Sequence, residues 1–411
     1  MRLKLTGLWK QADFMRLWAG QTISVFGSMI GGTAMTFTAI LVLNATPFQM
    51  GVLNSMQILP AVIMSLVAGA WVDRVRRRPL LIGADLGRAL LLATIPLAAL
   101  LGALHIGQIY LVALVVSLLT LFFDVAYQSY LPGLIGRQDV LEGNSKLSAS
   151  AAVAEFGGFS LGGWLVQILT APLAILIDAA SFLVSALTLS WIRRREAVVV
   201  PDKQPDLRRE VVEGLREVLF HPLLRASAVG ILIHHVADGL YGALVVLYMS
   251  RGLGFDPGLL GMIWAVGGIS SFLGAALAPR LTKRLGFGLA MVFGLATFGI
   301  SQLLIPLASG ATWISALLLI GQQLGDGFFM LYEINQVSLR QGLASERVLG
   351  RVNATMRFLS LGATLAGSLL GGWLGGLVGV RLMLFVGACG TLLAALALGL
   401  SPLRKYKGTD S

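Results

Sequence analysis

Residues 109–131 read Ile-Tyr-Leu-Val-Ala-Leu-Val-Val-Ser-Leu-Leu-Thr-Leu-Phe-Phe-Asp-Val-Ala-Tyr-Gln-Ser-Tyr-Leu, and Asp124 carries the single charge of the stretch. About 20 apolar residues let a helix cross roughly 30 Å of hydrocarbon. Comparable runs recur along the whole chain, approximately at 14–43, 50–72, 79–103, 145–169, 171–192, 223–249, 257–279, 287–308, 311–334, 353–377 and 382–401. With 109–131 they make twelve expected spans. The first is long and is expected to begin as an interfacial helix around Phe14 and Trp18. No cleavable signal peptide is read before it, because no small-residue cleavage site follows a short apolar core.

Composition agrees with this reading. Of the 411 residues 56% are hydrophobic and 12% charged, whereas an ordinary globular domain has about 25% charged residues. With a mean hydropathy of +0.82, a water-soluble core cannot hide the apolar content. Soluble enzymes, nucleic-acid binders and disordered chains are excluded. Fifty glycines fit membrane helices, where small residues let backbones approach. The lone Cys389 excludes a disulfide framework or thiolate cluster. The expected class is an all-α polytopic membrane protein.

The formal charge of +11 has a topological explanation. Alternate loops hold 27 of the 31 Lys and Arg residues, among them Arg74, Arg76, Arg77 and Arg78, Arg193 to Arg195, Arg280 to Arg284, and Arg404 to Lys407. The opposite loops hold Arg251 and Arg381, while Arg88 and Arg357 fall inside or at the edge of spans. Positive charge marks the cytoplasmic side, so both termini are expected there. No nucleic-acid partner is implied.

The longest polar stretch, 193–222, separates a bundle at 1–192 from a second at 223–411. Within it Leu207, Val211, Leu215, Val218 and Leu219 recur at helical spacing, which predicts an amphipathic cytoplasmic helix. It reads as a linker, with docking on anionic lipid as the alternative. A weak repeat supports the division. Gln128, Leu131, Val140 and Leu141 return 208 residues later as Gln336, Leu339, Val348 and Leu349. Parallel six-helix repeats are the architecture of secondary transporters, with the substrate site near mid-membrane.

The segment Gly69-Ala-Trp-Val-Asp73-Arg74-Val-Arg-Arg77-Arg78-Pro79 resembles the major facilitator superfamily signature between helices two and three, with Arg76 where a glycine is usual. Phe14 to Gln21, Phe123 to Pro132, Asp178 to Phe182 and Gly214 to Pro222 are similar to the branch that includes macrolide-efflux proteins and the enterobactin exporter. That branch is often classed as twelve-span drug:proton antiporters. The resemblance implies efflux of a drug-like compound, energised by the proton gradient without a cofactor. It also implies that the basic loop pairs with an acid on the fourth span. Gly69, Asp73, Arg74, Arg77, Arg78 and Asp124 would then form the gate, Asp124 as a latch for Arg77 or Arg78. The glycine-proline-rich antiporter run of the fifth span is present here without its proline, as Glu155-Phe-Gly-Gly-Phe-Ser-Leu-Gly-Gly163.

No phosphate-cradling GxxxxGK[ST] loop is present, so ATP-driven pumping is not expected. His234, His235 and Asp238 on one helix are a weak metal signal, and no nucleophile-base-acid set suggests an enzyme. The informative groups are ionisable residues inside spans, which are costly in hydrocarbon and functional by default. Glu155, near the middle of the fifth span, is the foremost proton-coupling candidate, followed by Asp238 and Asp326. A carboxyl in a partly dehydrated cavity holds its proton more readily, because desolvation disfavours the charged form. Gln21, Asn54, Gln57, His234, Tyr241, Trp264, Gln322 and Phe329 are cavity candidates, with polar glue between helices as an equal reading for Gln21, Asn54 and Gln57. Asp85 and Arg88 can pair locally, and Asp178 is equally a helix–helix hydrogen-bonding group. Glycine, alanine and aromatic walls suit a lipophilic neutral or cationic small molecule. Export of a specific siderophore, lipid or metabolite is the alternative, and a transport-dead scaffold or sensor is the alternative from another class. Partners are therefore the substrate, protons and the bilayer, with a monomer expected.

Overall fold

The computed structural model describes residues 7–64, 72, 75–194 and 207–407, and every regular element among them is helical. The side chains of Arg137, Glu155, Phe156, residues 207–211 and Glu346 lie outside that description. The helices are α1 (Ala12–Phe37), α2 (Pro47–Met64), α3 (Arg77–Leu100), α4 (Ile106–Ile135), α5 (Val140–Leu169), α6 (Ala171–Ser190), α7 (Leu207–Phe220), α8 (Pro222–Leu247), α9 (Pro257–Leu285), α10 (Phe287–Gln302), α11 (Trp313–Leu324), α12 (Asp326–Leu343), α13 (Glu346–Val378) and α14 (Val380–Leu400). Among the described residues eleven stretches are long and apolar enough to cross a membrane, α11 and α12 together making one. The expected span at 50–72 is seen as α2 up to Met64, and residues 65–71 lie outside the described ones. Several helices outrun their apolar stretch. Thus α4 reaches Ile135 and α9 reaches Leu285, because hydropathy registers the part facing hydrocarbon while hydrogen bonding carries the helix on into polar turns.

Two compact units result, 1–44 with 63–204, and 45–62 with 205–411. Residues 45–62 therefore pack with the second unit. Asn54 Nδ2 donates to Ser368 Oγ at 2.9 Å, and Gly51 lies so close to α13 that a Cβ there would stand 2.9 Å from the Gly372 Cα. In the first unit α1 packs on α5 and α6, and α3 on α4 and α6. Phe14 is fully buried with Leu17, Tyr130, Leu134 and Leu189. It is a core residue near the start of an unbroken helix. Trp18 donates from Nε1 to Ser150 Oγ at 2.8 Å, which holds α1 on α5. Apolar side chains such as Leu90 and Phe272 remain exposed on the outer faces, as lipid contact requires.

The weak repeat in the sequence has a backbone counterpart. Among the described residues, six of the nine with positive φ fall in matched turns: Asn44 and Gly254, Gly102 and Gly310, Thr170 and Gly379. Their separations are 210, 208 and 209 residues. The first pair follows a π-helical turn in each unit, Thr38–Val42 and Tyr248–Gly252, and precedes Pro47 and Pro257 at the next helix start. Thr170 holds φ 83° and ψ 152°, a region tolerated essentially by glycine alone. Such strain is about 1–3 kcal/mol, against about 0.5–1 kcal/mol of chain entropy that glycine loses on folding. Thr170→Gly is expected to stabilise by about 1 kcal/mol, read as a rise in thermal midpoint of the purified protein; a fall would contradict the strain.

The linker helix exists, but its buried stripe differs from the expected one. Leu215 and Leu219 are exposed, whereas Gly214 and Val218 are buried. Gly214 meets the backbone carbonyl of Arg351, Glu213 pairs with Arg351 at 2.6 Å, and Val218 joins Leu224, Ile231, Val352 and Met356. A close-approach glycine sets the rotation, a contact that hydrophobic periodicity does not weigh. Leu207 and Val211 lie among the side chains outside the description.

Candidate functional site

The tenth apolar stretch is broken at Gly325, where α11 ends and α12 begins. A break inside a membrane leaves backbone groups that something else must satisfy. Ser270 on α9 does so on both sides: its hydroxyl donates to Leu324 O at 2.7 Å and accepts from Gly327 N at 3.1 Å. Gly325 and Gly327 allow the approach, since a Cβ on either would collide with Ser301 or Ser270. Asp326 thereby sits directly after the interruption, at the start of α12.

Around it the second unit gathers polar groups. Gln322 Nε2 donates to Asp326 Oδ1 at 3.3 Å, and Gln323 Nε2 to Gln322 Oε1 at 3.1 Å. Gly267 leaves room for the acid, because a Cβ there would lie 2.5 Å from Asp326 Oδ2. Tyr241 of α8 is buried, donates to Gln302 O at 3.0 Å, and lies within electrostatic reach of both Asp326 and Asp238. One turn earlier Asp238 faces His235, whose Nδ1 is 3.2 Å from Thr364 Oγ1. His234 is enclosed by Phe298, Phe329 and Tyr332 with ring centroids at 6.3, 5.5 and 5.8 Å, and its buried Nδ1 finds no hydrogen-bond partner. Among the described residues no cation reaches Asp326, and no three His, Cys, Asp or Glu converge as a metal site.

The structure thus brings together Asp238, Asp326, Gln322, Tyr241, His234 and Phe329. Spacing alone had not marked Ser270, Gln302 or Gln323, although the Gly325-Asp326-Gly327 sequence was a visible sign of a break. Trp264 is half-buried on α9, one turn before Gly267. Asn54 is engaged by Ser368, the glue reading, and Gln57 is half-buried one turn along α2. In the first unit Gln21 is half-buried on α1 with its Nε2 unpaired. Glu155 lies on α5, and its side chain is outside the described residues, as are Gly69, Asp73 and Arg74. Arg78 donates to the carbonyls of Leu189 and Ser190 at 3.1 and 2.5 Å, capping α6. Arg77 opens α3, and Asp124 is exposed on α4 within electrostatic reach of Arg88.

The Major Facilitator Superfamily profile matches residues 17–360. The chain belongs to that superfamily. Among superfamily relatives, the MFS-type transporter YfiS of Bacillus subtilis is 26% identical over 94% of this chain and 92% of its own length. The multidrug efflux pump Tap of Mycolicibacterium fortuitum is 27% identical over 79% of this chain and 80% of its own. Of solved structures, the nucleoside transporter NupG superposes with TM-score 0.75 at 14% identity, covering 96% of this chain and 100% of that one. A bacterial homologue of the iron transporter ferroportin, in its inward-facing state, gives 0.73 at 17%, over 94% and 97%. These likenesses establish the major facilitator fold. The protein is a multi-pass membrane transporter.

Proposed function

We propose that the protein is a secondary active exporter of lipophilic, drug-like small molecules, working by proton antiport through alternating access. The observation that carries this reading is the interrupted tenth stretch, which sets Asp326 among Gln322, Gln323 and Tyr241 inside an apolar span. A carboxyl at that depth is costly and so is functional by default, and interrupted helices hold ions and substrates in secondary transporters. The likeness to a multidrug efflux pump supports drug-like cargo and outward direction. Phe329, Trp264 and Tyr241 offer apolar and aromatic surface to a neutral or cationic compound.

In this reading the chain has twelve spans as six and six, with both termini on the cytoplasmic face of a bacterial inner membrane. It works as a monomer without a cofactor. Glu155, Asp238 and Asp326 exchange protons, and Gln21, Gln57, His234 and Gln322 contact substrate. Asp73, Arg74, Arg77, Arg78 and Asp124 form the gate. The test uses purified protein in liposomes with a trapped pH dye and ethidium as a lipophilic cation. Ethidium movement with opposite proton movement is expected. Ethidium movement without protons would reduce the protein to a facilitator and overturn the antiport reading.

A further inference from the structure

The first unit buries a second set of ionisable groups. Asp85, Arg88 and Asp178 are 0%, 3% and 5% exposed. Arg88 bonds Asp85 through Nη2 and donates from Nη1 to Thr120 Oγ1 at 3.2 Å. Its guanidinium lies between the rings of Phe123 and Phe182, 4.5 and 4.0 Å from their centroids. Asp178, on α6, faces Gly27 and Gly31 of α1, which leave space for its carboxyl. Its polar partners are hydroxyls: Ser28 at 3.3 Å and Ser181 at 3.4 Å, both to Oδ1. The site also contains a buried donor with no hydrogen-bond partner, Arg88 Nε, while Ser185 lies against the Asp85 carboxyl.

Two buried carboxyls thus share one buried cation. Arg88 is hydrogen-bonded to Asp85 and reaches Asp178 electrostatically. An ionised Asp178 would thus be a buried charge whose side-chain hydrogen bonds come from hydroxyls, an arrangement that proteins relieve by neutralising the group. We propose that Asp178 is a proton-binding site of the first unit, with Arg88 as the counter-charge that Asp85 and Asp178 share. A proton from water adds to the carboxylate oxygen and leaves Arg88 to Asp85. Its return to water restores a charge within electrostatic reach of Arg88. The use of this site in transport rests on the antiport reading.

Other charged groups on the helices around α6 have separate engagements. On α1, Arg16 bonds Asp13 at 2.7 Å, and Asp13 accepts from Arg193 N and Arg194 N. On α3, Arg77 and Arg78 stand at the start of the helix, two turns or more from Asp85. On α5, Lys146 pairs with Glu142 at 3.3 Å, and Glu155 lies there with its side chain outside the described residues. Asp124 on α4 reaches the cluster through Arg88.

Infrared difference spectra of the full chain in liposomes, taken from acid to alkaline pH, test the assignment without any substrate. The native chain is expected to lose a protonated-carboxyl stretch that is missing from the Asp178→Asn spectrum and present, displaced, in Asp178→Glu. Spectra of native chain and Asp178→Asn that superimpose would overturn it. Should Asp178→Asn fail to fold, Ser28→Ala removes one hydroxyl donor and is expected to shift the same band; an unmoved band would also overturn the site. Ethidium-driven proton flux separates the two readings. If the native chain moves no protons, antiport falls while the infrared titration still decides on Asp178.

Discussion

Asp326→Asn is expected to abolish ethidium-driven proton movement in liposomes while the purified protein unfolds at its native temperature or above it. The amide is nearly isosteric with the acid, so the break at Gly325 and the Ser270 bridge across it are preserved. What the substitution removes is the group that can exchange a proton. Stability discriminates between the functional and structural readings. Were Asp326 a structural acceptor, losing a hydrogen bond to a charged group would cost about 1.5–3 kcal/mol. The contact from Gln322 is long at 3.3 Å and, among the described residues, no cation reaches Asp326, so an amide in a dry site is at least as well accommodated as a carboxylate. Loss of flux with unchanged melting supports the coupling role. Lower melting with retained flux would make Asp326 a structural residue and return the coupling role to Glu155 or Asp238.

The sequence made some features of this site legible and left others hidden, for physical reasons. Spans were readable because hydrocarbon imposes a length and a polarity that composition must meet. His234, Asp238, Tyr241, Gln322 and Asp326 could be named because helical spacing places them on faces, and an acid in an apolar run stands out. The break beside Asp326 was not named, since its stability comes from Ser270 on another helix. Periodicity along one segment does not register a bond from elsewhere. Asp85 and Arg88 were legible as a local pair at i,i+3, and the structure has that pair. That Asp178 joins them could not be read, because it comes from α6, which packs on α3 and, across Gly27 and Gly31, on α1. The linker stripe was misjudged for the same reason: Gly214 contributes closeness rather than hydrophobicity.

Arg88→Met is expected to destabilise the protein by about 3–5 kcal/mol, the loss seen when one partner of a buried ion pair is removed. Asp85 would be left buried with no cation, and Arg88 also takes with it the Thr120 bond and its place between Phe123 and Phe182. Each ring contact adds about 0.5–2 kcal/mol. Removing the acid as well reverses much of the loss. An apolar replacement of an entire buried pair is often close to neutral, so Arg88→Met with Asp85→Leu is expected to melt above Arg88→Met alone. Additive losses in that cycle, followed by thermal unfolding of purified protein, would show that the two side chains act independently. The double variant also isolates Asp178. Without Arg88 an ionised Asp178 has no counter-charge, so its carboxyl is expected to stay protonated through the infrared titration even where the fold is restored. A rescued fold with a carboxyl that no longer titrates would mean that Arg88 serves Asp178 as well as Asp85, which gives the first unit a proton site of its own.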